Sequence, residues 1–385
     1  MIYFDNAATG GKKPELVETA VLAATKLCAN PGRSGHKLSL ACANTVQSAR
    51  NALNSLFDGY AFDRVVFTKN CTEALNLALF GVLKKGDHVV TTCMEHNSIL
   101  RPLEKLKKDG VIRYDVCPLD ENGKLSLSNL QSLIKPNTRL VAVTTASNVN
   151  GEVNDIDEVR SVIPKSVLLL CDGAQGGGHL PILMKKSGID MLALAGHKGL
   201  MGIQGSGALL FSERVEPSPI LYGGTGSMSV SLDMPDFYPD ALEAGTLSYP
   251  AIVSLFEGVQ YLSTNLSSVQ AHAKKLTAYF LKRLKECQDF TPFSLENASG
   301  IVAFKHKHIA SETISALLSE TYDIAVRGGY HCAPLCHQAL GTIDDGLVRA
   351  SFSWFNHENE IDELIFALKD IEQKHKFNAY LPPCF

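Results

Sequence analysis

No run in this sequence is apolar for long enough to cross a bilayer. Its opening, Met1-Ile2-Tyr3-Phe4-Asp5-Asn6, has no basic segment leading into an apolar stretch. The expectation is a cytoplasmic chain with neither membrane span nor export signal. Positive charge is not in excess either: 36 Lys and Arg stand against 40 Asp and Glu, a formal net charge of −4. Without a basic stripe, neither nucleic acid nor an anionic membrane is an expected partner. The local run Lys105-Leu106-Lys107-Lys108 reads as the solvated face of a helix. The ten cysteines follow no repeated spacing, which argues against a disulfide framework and for reduced thiols. Most are expected to be small core residues, such as Cys93 and Cys171 inside apolar strands. Internal repeats and low-complexity linkers are also missing.

What the chain does have is length and apolar content. Its 385 residues, 45% of them hydrophobic, suffice for a large core and two or three domains. From residue 64 two patterns alternate. Strands are expected over 64–68, 87–92, 111–116, 139–145, 167–171, 191–195 and 207–211, with helices over 72–83, 99–108, 128–134 and 155–163. Apolar runs without alternation indicate strands buried on both faces. Their interleaving with helices implies an α/β fold with a mainly parallel, doubly covered sheet. Sites in such sheets collect at the carboxyl ends of strands. Beyond residue 211 the character changes. Gly223-Gly224-Thr225-Gly226 reads as a flexible loop, and 251–287 as long helical segments with Leu276, Phe280 and Leu284 at helical spacing. Segments 297–305, 311–318, 325–327, 348–352 and 358–369 suggest a smaller α/β unit. No linker marks the boundary near residue 250.

The run Leu192-Ala193-Leu194-Ala195 stops at Gly196-His197-Lys198-Gly199, and the run 167–171 stops at Asp172. A lysine at the end of a buried strand is costly unless its charge is paired or removed. A Schiff base with a carbonyl cofactor removes it. An aspartate at a nearby strand end suits a pyridinium nitrogen. Either residue alone is ordinary; together they read as a site for pyridoxal phosphate (PLP).

Other segments carry two readings each. Asn70-Cys71-Thr72-Glu73-Ala74 opens a helix, where unpaired N–H groups and the Thr72 hydroxyl can hold a phosphate, or where Asn or Thr simply caps. In Glu95-His96-Asn97-Ser98, His96 can stack on a pyridine ring and move protons, or be incidental to a capped helix start. In Ser147-Asn148-Val149-Asn150-Gly151 the Asn148 amide can bond a phenolic oxygen, or the segment is a plain turn. Gln175 can serve the same oxygen or the phosphate. In Arg327-Gly328-Gly329-Tyr330-His331-Cys332-Ala333-Pro334, a thiol beside an imidazole and near an arginine is favoured as the nucleophilic thiolate, and the glycines make its loop mobile. The same stretch, His331-Cys332 with Cys336-His337, offers four zinc-type ligands, although crowded into seven residues where zinc sites draw on separated pairs. Arg349, on a strand-like run, calls for a carboxylate from the protein or from a substrate. The loop Asn30 to His36 carries Arg33 and His36, and either closes over a site or lies on the surface.

Taken together, these residues resemble the class V aminotransferases of fold-type I, in their cysteine desulfurase branch. The matching motifs are Tyr3 to Ala8, Asn30 to His36, Thr72-Glu73-Ala74, Glu95-His96, Asp172 to Gln175, Gly196-His197-Lys198, Glu243-Ala244-Gly245-Thr246 and Arg327 to Ala333. They run in the family's order over nearly the whole chain. The form of the thiol loop is similar to the SufS-like and selenocysteine-lyase-like group. The resemblance implies a large PLP-binding domain over 14–250 with a seven-stranded sheet. It implies a small domain from 1–13 and 251–385 that carries the thiol loop. Lys198 is then the Schiff-base lysine, Asp172 the partner of the ring nitrogen, and His96 the stacking and proton-moving residue. Asn148 and Gln175 contact the phenolic oxygen, and Cys71, Thr72 and His197 hold the phosphate. Thr246 reaches the phosphate of the partner subunit, so the expected unit is a homodimer with shared sites. Arg349 binds the substrate carboxylate, with Ala7, Asn148 and Arg33 beside the substrate. Cys332 takes sulfur from L-cysteine, or selenium from L-selenocysteine, and passes it to an acceptor thiol or protein. No metal is implied. Cys71 and Ala195 depart from the residues usual in that family, and Cys336 and Cys384 have no place in its pattern.

Overall fold

Along the central strands successive side chains enter opposite layers. Leu169, Cys171, Leu192 and Leu194 pack in one core, and Leu168, Leu170, Met191 and Ala193 in another. A strand flanked on both sides cannot alternate apolar with polar, which explains the unbroken runs. Each such leucine contributes about 1.5–3 kcal/mol by burial. The computed structural model describes residues 1–27 and 29–379. The chain opens with β1 (Ile2–Tyr3), α1 (Glu15–Thr25) and α2 (Lys37–Leu56). It continues through β2 (Val65–Thr68), α3 (Cys71–Val82), β3 (Asp87–Thr92), α4 (Asn97–Lys108), β4 (Ile112–Cys117) and α5 (Leu127–Ser132). Then come β5 (Thr138–Thr144), α6 (Ile156–Ser161), β6 (Leu168–Asp172), α7 (Met184–Ser187), β7 (Met191–Ala195) and β8 (Gly207–Phe211). These form a seven-stranded sheet in the order β2-β8-β7-β6-β5-β3-β4. Only β8 opposes its neighbours, so the sheet is mainly parallel, as its sequence pattern implies. Cys171 lies in β6, whereas Cys93 is buried just beyond the end of β3.

The second half comprises α8 (Tyr249–Leu284), β9 (Phe290–Pro292), β10 (Ile301–His306), α9 (Ser311–Tyr322), β11 (Ile324–Ala325), α10 (Pro334–Ala339), β12 (Val348–Ser351) and α11 (Glu358–Ala379). The segments expected over 251–287 are one helix of 36 residues. Ile252, Leu255, Val259, Leu262 and Val269 join the core of the large sheet. Leu276, Phe280 and Leu284 join a separate core with Phe4, Phe304, Phe352, Leu364 and Leu368. The change of core falls inside α8, so no linker composition marks it. A three-stranded antiparallel sheet, β12-β10-β9, builds the second unit. β1 pairs with β11 there, and Asp5 bridges to Ser351. From that anchor the N-terminal segment crosses to the large sheet, where Gly10 N–H donates to the His197 carbonyl at 2.8 Å. Among the described residues no helix is long and apolar enough to cross a membrane.

Candidate active site

The carboxyl ends of β3, β5, β6 and β7, with the start of α3, surround one cleft of about 490 Å³. Cys71, Thr72, His96, Asn148, Asp172, Gln175, His197 and Lys198 all line it. The Lys198 ammonium is held below the ordinary lysine range, first by burial and then by the positive charge of Arg349. Asp172, 3% exposed, takes both of its hydrogen bonds on Oδ1: from Cys71 Sγ at 3.4 Å and from Ala174 N–H at 2.8 Å. Its Oδ2 has no partner among the described residues. Burial, and then the charge of Asp172, keep the Cys71 thiol protonated as the donor.

The start of α3 leaves backbone N–H groups that could hold an anion. Asn70 caps it, taking Glu73 N–H on Oδ1 at 2.9 Å and Ala74 N–H on its carbonyl at 3.2 Å. The N–H groups of Cys71 and Thr72 are left without acceptors among the described residues. The approach is tight: a Cβ on Gly207 would lie 2.7 Å from the Asn70 carbonyl carbon. His96 caps α4, its Nδ1 accepting from Ser98 N–H at 3.0 Å and lying 2.9 Å from the Ser98 hydroxyl. Nδ1 therefore carries no proton and Nε2 does. Burial pushes His96 down to about 4, against the opposing charge of Asp172, so the ring is neutral near pH 7. The Thr72 hydroxyl, 2.8 Å from Ser98 Oγ, extends this line of polar groups. His197 Nδ1 lies 3.0 Å from the Thr9 hydroxyl, and burial holds this ring near 4 as well. Gln175 Nε2 donates to the Ala7 carbonyl at 3.0 Å, and Ala7 N–H donates to Ser351 Oγ at 2.9 Å. The first bond ties the N-terminal segment to the cleft wall and the second ties it to β12.

Glu95 is a residue to which sequence reasoning assigned no role. It is fully buried, and its Oε1 accepts from the Thr92 hydroxyl at 2.6 Å and from Thr144 N–H at 2.9 Å. It thereby clamps the end of β3, which carries His96, to the end of β5, which leads to Asn148. Burial raises its carboxyl from 4.5 to about 8, so it is protonated at neutral pH. The folded chain then holds a proton that the unfolded chain releases between about pH 4.5 and 8, and stability falls as pH rises through that window. Glu95→Gln, the neutral isostere, is expected to gain melting temperature relative to wild type between pH 5 and pH 8. Thermal unfolding of both proteins at the two pH values checks this, and parallel curves would refute it.

The thiol loop sits against the same strand ends. His331 and Cys332 have φ of 51° and 57°, and Gly329 has φ of 103°. Two successive left-handed non-glycine residues cost on the order of 1–3 kcal/mol each unless neighbours hold them. Asn148 Nδ2 donates to the His331 carbonyl at 2.7 Å, and Asn97 N–H donates to the Cys332 carbonyl at 2.7 Å. Cys332 is exposed, whereas the other described cysteines are buried. The expected help from its imidazole neighbour is not seen. His331 is buried, gives Nε2–H to the Arg327 carbonyl at 3.2 Å, and is pushed to about 2 by burial and the charge of Arg349. It carries no charge to offer the thiol. The zinc-type set does not converge either: Cys336 Sγ lies 3.9 Å from Ser147 Oγ, and His337 Nδ1 lies 2.8 Å from Thr342 Oγ1. Among the described residues no group of three or more His, Cys, Asp or Glu is disposed to hold a metal ion. Cys384 lies outside the described residues.

Arg349 is 1% exposed on β12 and finds its carboxylate within the protein, with Nη2 at 3.0 Å from Asp5 Oδ1. Nη1 donates to the Asn148 carbonyl at 2.9 Å, while Nε is buried with no partner among the described residues. Two residues are not brought to the Lys198 cleft of their own chain. Arg33 Nη2 donates to the Gly224 and Gly245 carbonyls at 3.0 and 2.8 Å, in a cleft shared with Asn30 and Gln47. Thr246 lines a groove with Thr68, Lys69 and Gly205. That segment is fixed by Glu243, which Arg50 grips through both carboxylate oxygens and which also accepts from Phe67 N–H at 2.7 Å.

A lysine and an aspartate at adjacent strand ends, unpaired N–H groups at the start of α3 and a neutral imidazole between the end of β3 and α4 suit this cleft to the coenzyme of a fold-type I enzyme. The chain belongs to the aminotransferase class-V family, whose model matches residues 2–364. Members of this family depend on PLP. A probable cysteine desulfurase of Methanothermobacter thermautotrophicus is 32% identical over 96% of this chain and 94% of its own length. Among solved structures, the apo cysteine desulfurase of Thermococcus onnurineus NA1 has a TM-score of 0.88 at 29% identity, covering 97% of this chain and 95% of that one. A cysteine desulfurase of Escherichia coli, in its S-sulfonic acid form, also has a TM-score of 0.88, at 27% identity over 97% and 94%. The residues present fit PLP: unpaired N–H groups for its phosphate, a vacant Asp172 oxygen for its ring nitrogen, and a lysine of lowered basicity for its aldehyde.

Proposed function

We propose that this chain is a cysteine desulfurase, converting L-cysteine to L-alanine and taking the sulfur onto Cys332. The observation that carries this is the docking of an exposed thiol loop on Asn97 and Asn148, neighbours of the Lys198 cleft. Lys198 would attach the cofactor, and its Nζ would move the proton of the substrate Cα. Asp172 Oδ2 would accept from the ring nitrogen. The N–H groups of Cys71 and Thr72 would hold the phosphate, with His197 Nε2–H once Thr9 turns its hydroxyl proton to Nδ1. Asn148 and Gln175 would bond the phenolic oxygen. When bound, the cofactor draws electron density from the substrate Cα. Arg349 would offer its unpartnered Nε–H to the substrate carboxylate, with Ala7, bonded to Ser351 of the same strand, beside the substrate. The Cys332 thiolate attacks the substrate sulfur; the S–S bond forms as the C–S bond breaks, and its electron pair stays with the carbon skeleton. His96 Nε2–H supplies a proton toward that skeleton, which leaves as alanine. Cys332 is left as a persulfide for an acceptor thiol or protein.

A homodimer is part of this reading. Tyr222 is strongly exposed next to Leu221, which lines the groove of Thr246 outside the Lys198 cleft of its own chain, and Val230 and Leu232 are fully exposed further along the segment. A second copy covering them would bring Thr246, and with it Arg33, toward the neighbouring site. A reducing compartment such as the cytoplasm suits a chain whose described cysteines are all free. Purified protein of twice the chain mass by sedimentation is expected to release one alanine per sulfide from L-cysteine in the presence of a reductant. L-selenocysteine tested in parallel establishes the preference between the two. Conversion of the bound cofactor to its amine form by ordinary amino acids, with no sulfide, would replace this reading with transamination.

A further inference from the structure

Among the described residues that line the cleft, Asn148 is the one whose side chain hydrogen-bonds the thiol loop. Its Nδ2 has two hydrogens, one of them given to the His331 carbonyl at 2.7 Å. The residue lines the Lys198 cleft, so the second hydrogen is left for whatever fills that cleft. Its own carbonyl is fixed by Arg349 Nη1 at 2.9 Å, so the backbone that carries the amide is held in place. The segment it grips is the one that needs holding, because His331 and Cys332 are both left-handed. Two amides report on that conformation. Asn97 N–H is covered only while the Cys332 carbonyl sits on it at 2.7 Å, and Ala333 N–H closes on the Tyr330 carbonyl at 3.0 Å.

We infer that Asn148 is a positioning residue that couples occupancy of the cleft to the thiol loop. Its amide holds His331 and Cys332 in the presenting conformation, and a ligand accepting its second hydrogen tightens that hold. The occupant is taken from the proposed function; the hold itself does not depend on it. A rigid three-point fixation of this amide transmits order by limiting its rotation, not by moving a domain.

The test is peptide-resolved hydrogen exchange at the Asn97 and Ala333 amides. It compares wild type, Asn148→Ala and Asn148→Asp, the last keeping the shape but losing the donor. Each protein is measured stripped of cofactor and again with PLP restored, with amides of β6 as the folding reference. Both variants, stripped, are expected to exchange at least about fivefold faster than stripped wild type at the two reporters and equally at β6. PLP is expected to slow the reporters in wild type by at least about fivefold and to leave them unchanged in Asn148→Asp. Reporter rates equal to wild type in either stripped variant would overturn the hold. A PLP effect absent from wild type, or equal in wild type and variant, would overturn the coupling. Failure of the stripped protein to regain visible absorbance with PLP counts against the functional reading and leaves the stripped comparison to judge the hold.

Discussion

Lys198→Ala protein is expected to lose both the visible absorbance of bound PLP and turnover of L-cysteine, the latter by on the order of 10⁴ or more, the scale seen when a covalent catalytic group is removed. Lys198 lies among strand ends, where burial and then the like charge of Arg349 hold its ammonium below the ordinary range, so the free amine is reached more readily than in an exposed lysine. A free amine is the form that adds to an aldehyde and the form that takes a proton from the substrate Cα. Alanine supplies neither. The unpaired N–H groups at the start of α3 and the vacant Asp172 oxygen remain in the variant, so PLP is expected to bind it weakly and without the wild-type spectrum. Absorbance spectra after dialysis, together with alanine release, check this. Retention of the wild-type band and rate would remove Lys198 from the reaction altogether.

Cys332→Ser is expected to separate the two halves of the chemistry. The cleft is untouched, because the Cys332 side chain is exposed and its docking is through its backbone carbonyl to Asn97 N–H. PLP should therefore bind with its wild-type spectrum, and L-cysteine should still perturb that spectrum. Alanine release should fall by on the order of 10³, since a serine hydroxyl is a poor acceptor for sulfur. Mass analysis of wild type after L-cysteine without reductant should show a gain of one sulfur on the peptide that carries Cys332. Normal alanine release from the serine variant would transfer the acceptor role elsewhere, and the buried Cys336 near Ser147 would be the next residue to replace.

The two expectations depend on different links. The lysine prediction rests on the electrostatics of a strand end, which the sequence displays locally: an apolar run, then Gly196-His197-Lys198-Gly199. The cysteine prediction rests on a loop reaching a distant strand end. Asn148 and His331 are 183 positions apart in the chain, and no local pattern encodes their bond. The same contrast holds across the fold. The central strands of the large sheet were legible because burial on both faces leaves short unbroken apolar runs, too short for helices of the same composition. α1 and α2 were not legible. α1 buries only Val17 and Ala24 and has no side-chain cap, and α2 is capped by His36 instead of a Ser, Thr, Asn or Asp.

Arg349 shows how far residue type carries. A buried arginine demands a carboxylate, and the sequence states that demand; only the pairing of β1 with β11 and the bridge from Asp5 to Ser351 decide that Asp5 answers it. Glu95 is the converse. Its proton is retained because burial between two strand ends outweighs the Thr92 and Thr144 hydrogen bonds, which favour the charged form, and nothing in the local run signals a neutral acid. By itself the sequence determined the mainly parallel sheet, the strand-end lysine, aspartate and histidine, and the helix start at Cys71, because periodicity, capping and burial of neighbouring residues act over a few positions. The tertiary structure alone decided the neutral state of His331, the partner of Arg349, the change of core within α8 and the docking of Cys332. Each of these depends on desolvation or hydrogen bonds between segments far apart in the chain, which topology brings together and composition does not record.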